Sequence, residues 1–148
     1  MNAMRSAVRS TDQDLQVYNL LVLQHQDEAF NLAYALLGNE TLAEKIVGSI
    51  FHESFKRIIK NGQSFRSELL AEVVFACLRQ GKLTGELEGV RAYLVSLTNI
   101  EKAAVVLVDS MEMGLADAVG ILKISRLQLV KLLASGRSKI AQALPEAF

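Results

Sequence analysis

The sequence predicts an all-α protein made of two small helical domains, and three observations support this prediction. Apolar residues make up 51% of the 148 residues, with a single proline and no tryptophan, and the Leu, Ala, Val, Glu and Lys content favours helix. Apolar residues also recur at helical spacing, twice behind a capping-box motif. A glycine-rich stretch over residues 81–89 interrupts this pattern. We therefore expect a helical domain over 1–80 (ordered from residue 10), a linker over 81–90, and a four-helix helix-turn-helix domain over 91–148.

About four helices are expected in the first domain. Residues 1–10 carry no pattern and are expected to form a loose tail, after which Thr11 or Asp12 caps the first helix. The polar segment QHQDE, residues 24–28, is expected to separate that helix from a second one, which ends at Gly38.

The capping box formed by Thr41 and Glu44 is expected to start the next helix, whose wide apolar stripe should place it at the centre of the first core. Asn61-Gly62 should end this helix. Ser64 should begin another helix, which ends near Gly81.

The second domain should begin with a capping box formed by Thr98 and Glu101. The run AAVVLV that follows also fits a buried strand, but the capping box and the lack of a partner strand favour a helix. Ser125 is expected to cap the last helix. One side of that helix carries apolar residues (Leu129, Val130, Leu133, Ile140 and Leu144), and the other is polar (Gln128, Lys131, Ser135, Ser138, Lys139 and Gln142). This pattern suits a helix that lies in a DNA groove, and it suits any amphipathic surface helix.

Composition argues against several classes of function. Sixteen basic residues balance sixteen acidic ones, which counts against strong autonomous DNA binding. Cys77 is the only cysteine, and the N-terminus lacks the apolar run of a signal peptide, so we expect a cytoplasmic protein without a membrane span. His25 and His52 have no partners at metal-ligand spacing, and no nucleophile or phosphate-loop motif is present. We therefore expect neither an enzyme nor a bound metal or cofactor.

The order of the segments resembles that of extracytoplasmic-function sigma factors, the smallest bacterial initiation sigma factors. FNLAYALLGNETLAEKIVGSIFHESFKRI, residues 30–58, is similar to their −10 domain, and residues 97–140 are similar to their −35 domain. The matching positions are Ala43, Glu44, Ile46 and Phe51 in the first domain and Leu97, Leu122, Ile124, Ser125, Leu133 and Arg137 in the second.

The resemblance implies core RNA polymerase and promoter DNA as partners, with an anti-sigma factor as a further one. Polymerase would be bound through Glu44, Lys45, Gly48 and Ser49. DNA would be bound through Ser125, Arg126, Gln128, Lys131, Arg137 and Lys139. Lysines would contact phosphates, and Gln128 could read adenine.

Several positions depart from the family pattern. Lys45, Gly48 and Ser49 stand where the family has acidic and glutamine residues, and Lys123 stands where it has a turn glycine. In ELLAEVVFACLRQ, residues 68–80, the family carries a tryptophan, arginines and an asparagine that help open and read the −10 strand, whereas here Phe75 is the one aromatic residue and Arg79 the one cation, so base capture would be poor. Three hypotheses remain open: a promoter-binding sigma factor, a degenerate sigma mimic or regulator that acts through protein contacts, and a repressor that uses only its helix-turn-helix.

Overall fold

The computed structural model describes residues 2–60, 65–80 and 97–143, and all regular structure in these ranges is helical, as the sequence predicts. The helices are α1 (Asn2–Leu37), α2 (Glu40–Lys60), α3 (Phe65–Leu78), α4 (Asn99–Val105), α5 (Leu115–Leu122) and α6 (Arg126–Ala143). A π-helical segment, Val106–Ser110, continues α4. No helix in these ranges has the length and apolar content needed to cross a bilayer.

α1 is one continuous helix, so the predicted loose tail and the predicted break at residues 24–28 are both wrong. The segment contains neither glycine nor proline, and its polar residues are compatible with helix. Two of them are held by α3: the His25 ring lies 5.5 Å from the Phe65 ring, and Arg66 Nε donates to Glu28 Oε1 at 2.7 Å. A polar run therefore continues the helix because it packs against a neighbouring one.

The connection between α1 and α2 differs from the predicted capping box at Thr41. Gly38 ends α1 in the left-handed conformation at φ 68°, as predicted. The backbone N–H of Leu42 donates to Asn39 Oδ1 at 2.9 Å, so Asn39 is the N-cap and α2 begins at Glu40. Asn39 occupies the position directly after the turn, which leaves Thr41 inside the first turn of the helix.

The buried side chains of the two predicted domains form one continuous hydrophobic cluster. α1, α2 and α3 pack together, α4 and α5 pack against α6, and α3 also contacts α5. The linker predicted over 81–90 lies outside the described residues, so the division into two domains stays a prediction.

The helix-turn-helix forms as the sequence predicts. Thr98 and Glu101 make a complete capping box at the start of α4, and the valine-rich run is helical. Lys123 adopts the left-handed conformation (φ 56°, ψ 45°) between α5 and α6, so the turn forms without the family's glycine.

The core-facing stripe of α6 differs from the predicted one at a single described position. Leu129 and Leu133 are buried as predicted, and Ile140 packs against the core. Val130 was predicted to be buried but is 47% exposed, because it lies about 100° around the helix from Leu129. Gly136, which was not part of the predicted stripe, is buried. The predicted core residue Leu144 lies outside the described ranges.

Candidate functional site

The N-terminal turn of α6 is closed by a reciprocal capping box between Ser125 and Gln128. Ser125 Oγ accepts from the backbone N–H of Gln128 at 3.1 Å, and Gln128 Oε1 accepts from the backbone N–H of Ser125 at 2.9 Å. Reading adenine with both groups of a glutamine amide needs a free oxygen as well as a free N–H. Because the Gln128 oxygen is engaged in the cap, this side chain is poorly placed to read adenine.

Lys139 does not extend freely towards solvent. Its ammonium lies 2.6 Å from Oε1 of Glu101, a carboxylate that is only 4% exposed. The same oxygen accepts from the backbone N–H of Thr98 at 2.8 Å, and Ser135 Oγ donates to Glu101 Oε2. Moving Lys139 to a DNA phosphate would leave a buried carboxylate without its cation, at a cost of about 3–5 kcal/mol.

Burial and hydrogen bonding act on the Glu101 carboxyl in opposite directions. Burial raises its pKa, but hydrogen bonds from Lys139, Ser135 and Thr98 outweigh burial and lower the pKa to about 2. Glu101 is therefore ionised at neutral pH and holds the start of α4 against the C-terminal half of α6.

Arg137 is paired with the π-helical segment. Its Nε and Nη2 atoms donate to the two carboxylate oxygens of Asp109 at 2.9 and 2.7 Å. These hydrogen bonds raise the pKa of the guanidinium. Both side chains are partly exposed, so this bidentate pair is weaker than the Glu101 contact.

Arg126 and Lys131 are the two cations among the predicted DNA-binding residues that stay exposed and make no ion pair with another described residue. Lys131 lies at the edge of a groove between α4 and α6 with a volume of about 550 Å³. Ile100, Ile124 and Leu132 supply the apolar part of its lining.

The surface of α3 that the resemblance assigns to the −10 strand is shared with α5. The Lys123 ammonium lies 5.7 Å from the centre of the Phe75 ring. Both residues line a cleft between the two helices, together with Glu68 and Glu72 of α3. Phe75 already has a cation on its ring, and the carboxylates would repel DNA phosphates.

The predicted polymerase-binding residues form an open surface on α2, since Glu44, Lys45, Gly48 and Ser49 are all exposed. Glu44 and Gly48 line a groove of about 270 Å³ between α1 and α2. The groove has an apolar floor of Phe30, Val47 and Phe51, and Gln26, Asp27 and Glu44 border it.

Sequence reasoning missed Glu101 and Asp109 as partners of the α6 cations. The capping box identified Glu101 as a helix start, but the pairing with Lys139 depends on how α4 crosses α6. Gly136 is the one sequence signal for that crossing. A Cβ atom there would lie 2.8 Å from Val105 Cγ2 and 3.8 Å from Glu101 Cβ, so the glycine permits the close approach.

Within residues 2–60, 65–80 and 97–143, no group of three His, Cys, Asp or Glu side chains is placed to hold a metal ion. Cys77 is buried, and burial raises the pKa of its thiol to about 12, which makes it a poor nucleophile. No family model and no curated protein matches this sequence.

Proposed function

We propose that the chain is a sigma-factor-like transcription regulator that binds core RNA polymerase through its α1–α2 face and reads little promoter DNA. One contrast between its two candidate surfaces carries the proposal. Four of the six predicted DNA-binding side chains bond within the chain, whereas the predicted polymerase-binding residues are all exposed. The engaged set is Ser125, Gln128, Arg137 and Lys139.

Electrostatics supports weak DNA binding. Two exposed cations, Arg126 and Lys131, remain for phosphates on α6. The logarithm of the binding constant falls as the logarithm of the salt concentration rises, with a slope of about −0.9 for each phosphate contact, so two contacts give a slope near −2. Stable specific complexes neutralise several more phosphates than that, and this chain carries no net charge to add to the attraction.

The α1–α2 groove suits an amphipathic helical segment of a partner. Phe30, Val47 and Phe51 offer an apolar floor, and the carboxylates of Asp27 and Glu44 lie at its border. This combination favours a partner helix with apolar anchors and flanking cations. A Cβ atom at Gly48 would meet nothing within 4 Å, so the backbone of α2 is open to close approach there.

The proposal can be tested by co-elution of the full chain with purified bacterial core RNA polymerase at low salt. Gly48→Leu should abolish co-elution, because a Cβ atom at this position meets nothing within 4 Å and the rest of the leucine side chain would extend into the groove that the partner needs. Gly120→Leu is the matched control, since a Cβ there also has nothing within 4 Å and lies on α5. Absence of co-elution for the unmodified chain, or equal loss in both variants, would refute the proposal.

A promoter-binding sigma factor is the second candidate, and the intact helix-turn-helix favours it. Arg126 and Lys131 lie exposed in the N-terminal part of α6, the part that enters the major groove in helix-turn-helix proteins. Run-off transcription with core polymerase separates the two candidates. A promoter-dependent transcript that Lys131→Ala reduces would replace the regulator hypothesis with this one.

A further inference from the structure

The outward surface of α6 carries a row of apolar residues where a DNA-reading helix would carry polar ones. Leu127 is 64% exposed and Val130 is 47% exposed. Ala134 and Ala141 are exposed on the same side. Their spacing of three, four and seven residues is that of a coiled-coil contact line. We call these four residues the α6 seam.

Cations border the seam on both sides. At about 100° per residue, Arg126 and Lys131 lie about 70° to either side of the mean direction of the seam. α6 contains no acidic residue. Its other two cations, Arg137 and Lys139, are paired with Asp109 and Glu101, so the positive charge available to a partner is concentrated in the first two turns.

We propose that the α6 seam is the docking site for an amphipathic helix of another protein, one whose apolar stripe is bordered by carboxylates. A second copy of this chain docked through its own α6 fits poorly, because that helix contains no acidic residue to face Arg126 and Lys131 in either orientation. DNA fits poorly too, because Leu127 and Val130 cannot donate or accept hydrogen bonds to the phosphates and base edges that they would desolvate. The inference adds a second surface to the proposed regulator and does not depend on the α1–α2 groove.

The shape of the seam indicates how such a helix would lie. Leu127 and Val130 are the large anchors, because burying their apolar side chains against the partner stabilises the complex. Ala134 and Ala141 have short side chains, so the partner backbone can approach the C-terminal half of α6 closely. Carboxylates of the partner would then face Arg126 and Lys131 at the other end.

Fluorescence anisotropy with two labelled synthetic helices tests the proposal on the full chain. Both peptides carry leucines at coiled-coil spacing; one has glutamates at the flanking positions and the other has lysines. We expect the glutamate peptide to bind at least tenfold more tightly than the lysine peptide. Leu127→Ser should lower the affinity for the glutamate peptide by tenfold or more, and Leu23→Ser should change that affinity by less than twofold. Leu23 is the matched control, since it is also 64% exposed but lies on α1.

Charge reversal gives a second readout that non-specific adhesion would not produce. Lys131→Glu should lower the affinity for the glutamate peptide and raise the affinity for the lysine peptide, while the far-ultraviolet circular dichroism spectrum stays unchanged. Three results would overturn the proposal: equal binding of both peptides, an equal effect of the two leucine variants, or dimerisation of the chain that Leu127→Ser abolishes. Tighter binding of a random DNA duplex than of either peptide, lost in Lys131→Ala, would also overturn it.

Discussion

Replacing Glu101 with glutamine should both destabilise the protein and remove part of its sensitivity to acid. The amide keeps the shape of the side chain and can still accept from the backbone N–H of Thr98. It carries no charge for Lys139, which now lies 2.6 Å from a carboxylate oxygen. The variant therefore removes both the charge that faces Lys139 and the oxygen that accepts from Ser135 Oγ.

The magnitude follows from the pKa of the carboxyl. The pKa of Glu101 is lowered from 4.5 to about 2 in the folded protein. At 1.36 kcal/mol per unit, the ionised form contributes about 3 kcal/mol to the free energy of unfolding at neutral pH. Because the folded pKa is the lower one, this contribution is complete above the unfolded pKa of 4.5 and declines as the pH falls towards 2. More than half of it, roughly 2 kcal/mol, is lost by about pH 3.

Urea denaturation followed by circular dichroism at 222 nm, at several values between pH 7 and pH 3, measures this contribution. The difference in unfolding free energy between the unmodified protein and Glu101→Gln should be about 2–3 kcal/mol at pH 7 and should shrink steadily below pH 4.5. Glu44→Gln is the control, because Glu44 is exposed and neutralising it changes the net charge equally. A difference that stays constant with pH would show that folding does not lower the pKa of the Glu101 carboxyl, and the reasoning would fail.

Substitutions at four further positions have definite expected outcomes. Gly48→Ala should raise the unfolding free energy by about 0.5–1 kcal/mol, since its Cβ meets no atom and alanine favours helix. Gly136→Ala should lower the unfolding free energy by about 1–3 kcal/mol, because the new Cβ would lie 2.8 Å from Val105 Cγ2. Urea denaturation measures both glycine variants, and a change of the same sign in the two would contradict the reasoning. Ser125→Ala should cost about 1 kcal/mol and Ser125→Gly only a few tenths, and equal losses would argue against the observed cap. Asp109→Asn should release Arg137 and make the salt slope of random-duplex binding steeper by about 1, whereas an unchanged slope would show that the released guanidinium reaches no phosphate.

Local rules predicted much of the fold because the deciding interactions lie within a few residues of one another. The capping box at Thr98, the cap at Ser125 and the left-handed Gly38 all depend on contacts three or four residues apart, and all three form. The break at residues 24–28 failed because the polar run is held by α3, a contact 38 residues away in the case of Glu28 and Arg66. Polarity without glycine or proline is therefore weak evidence that a helix ends.

The candidate site was harder to predict for the same reason. Periodicity placed Lys139 on the polar side of α6, but it did not show that Glu101, 38 residues earlier, would lie opposite its ammonium. Asp109 and Arg137 are likewise 28 residues apart. A cation on the polar face of a recognition helix has the same sequence pattern whether it faces a phosphate or a carboxylate of its own chain.

The acidic residues of α4 and its π-helical extension explain how a helix-turn-helix forms here with two of its α6 cations paired inside the chain. Glu101 and Asp109 neutralise two of the four cations of α6, and they hold that helix in place while doing so. Substituting further cations onto the outer face of α6 would therefore leave Arg137 paired with Asp109 and Lys139 paired with Glu101. Neutralising Asp109 costs little, because its pair is exposed, whereas neutralising Glu101 also removes an interaction that stabilises the packing of α4 on α6. Release of a cation and loss of stability are thus coupled at Glu101 but separable at Asp109, and we expect Asp109→Asn to free Arg137 without unfolding the protein.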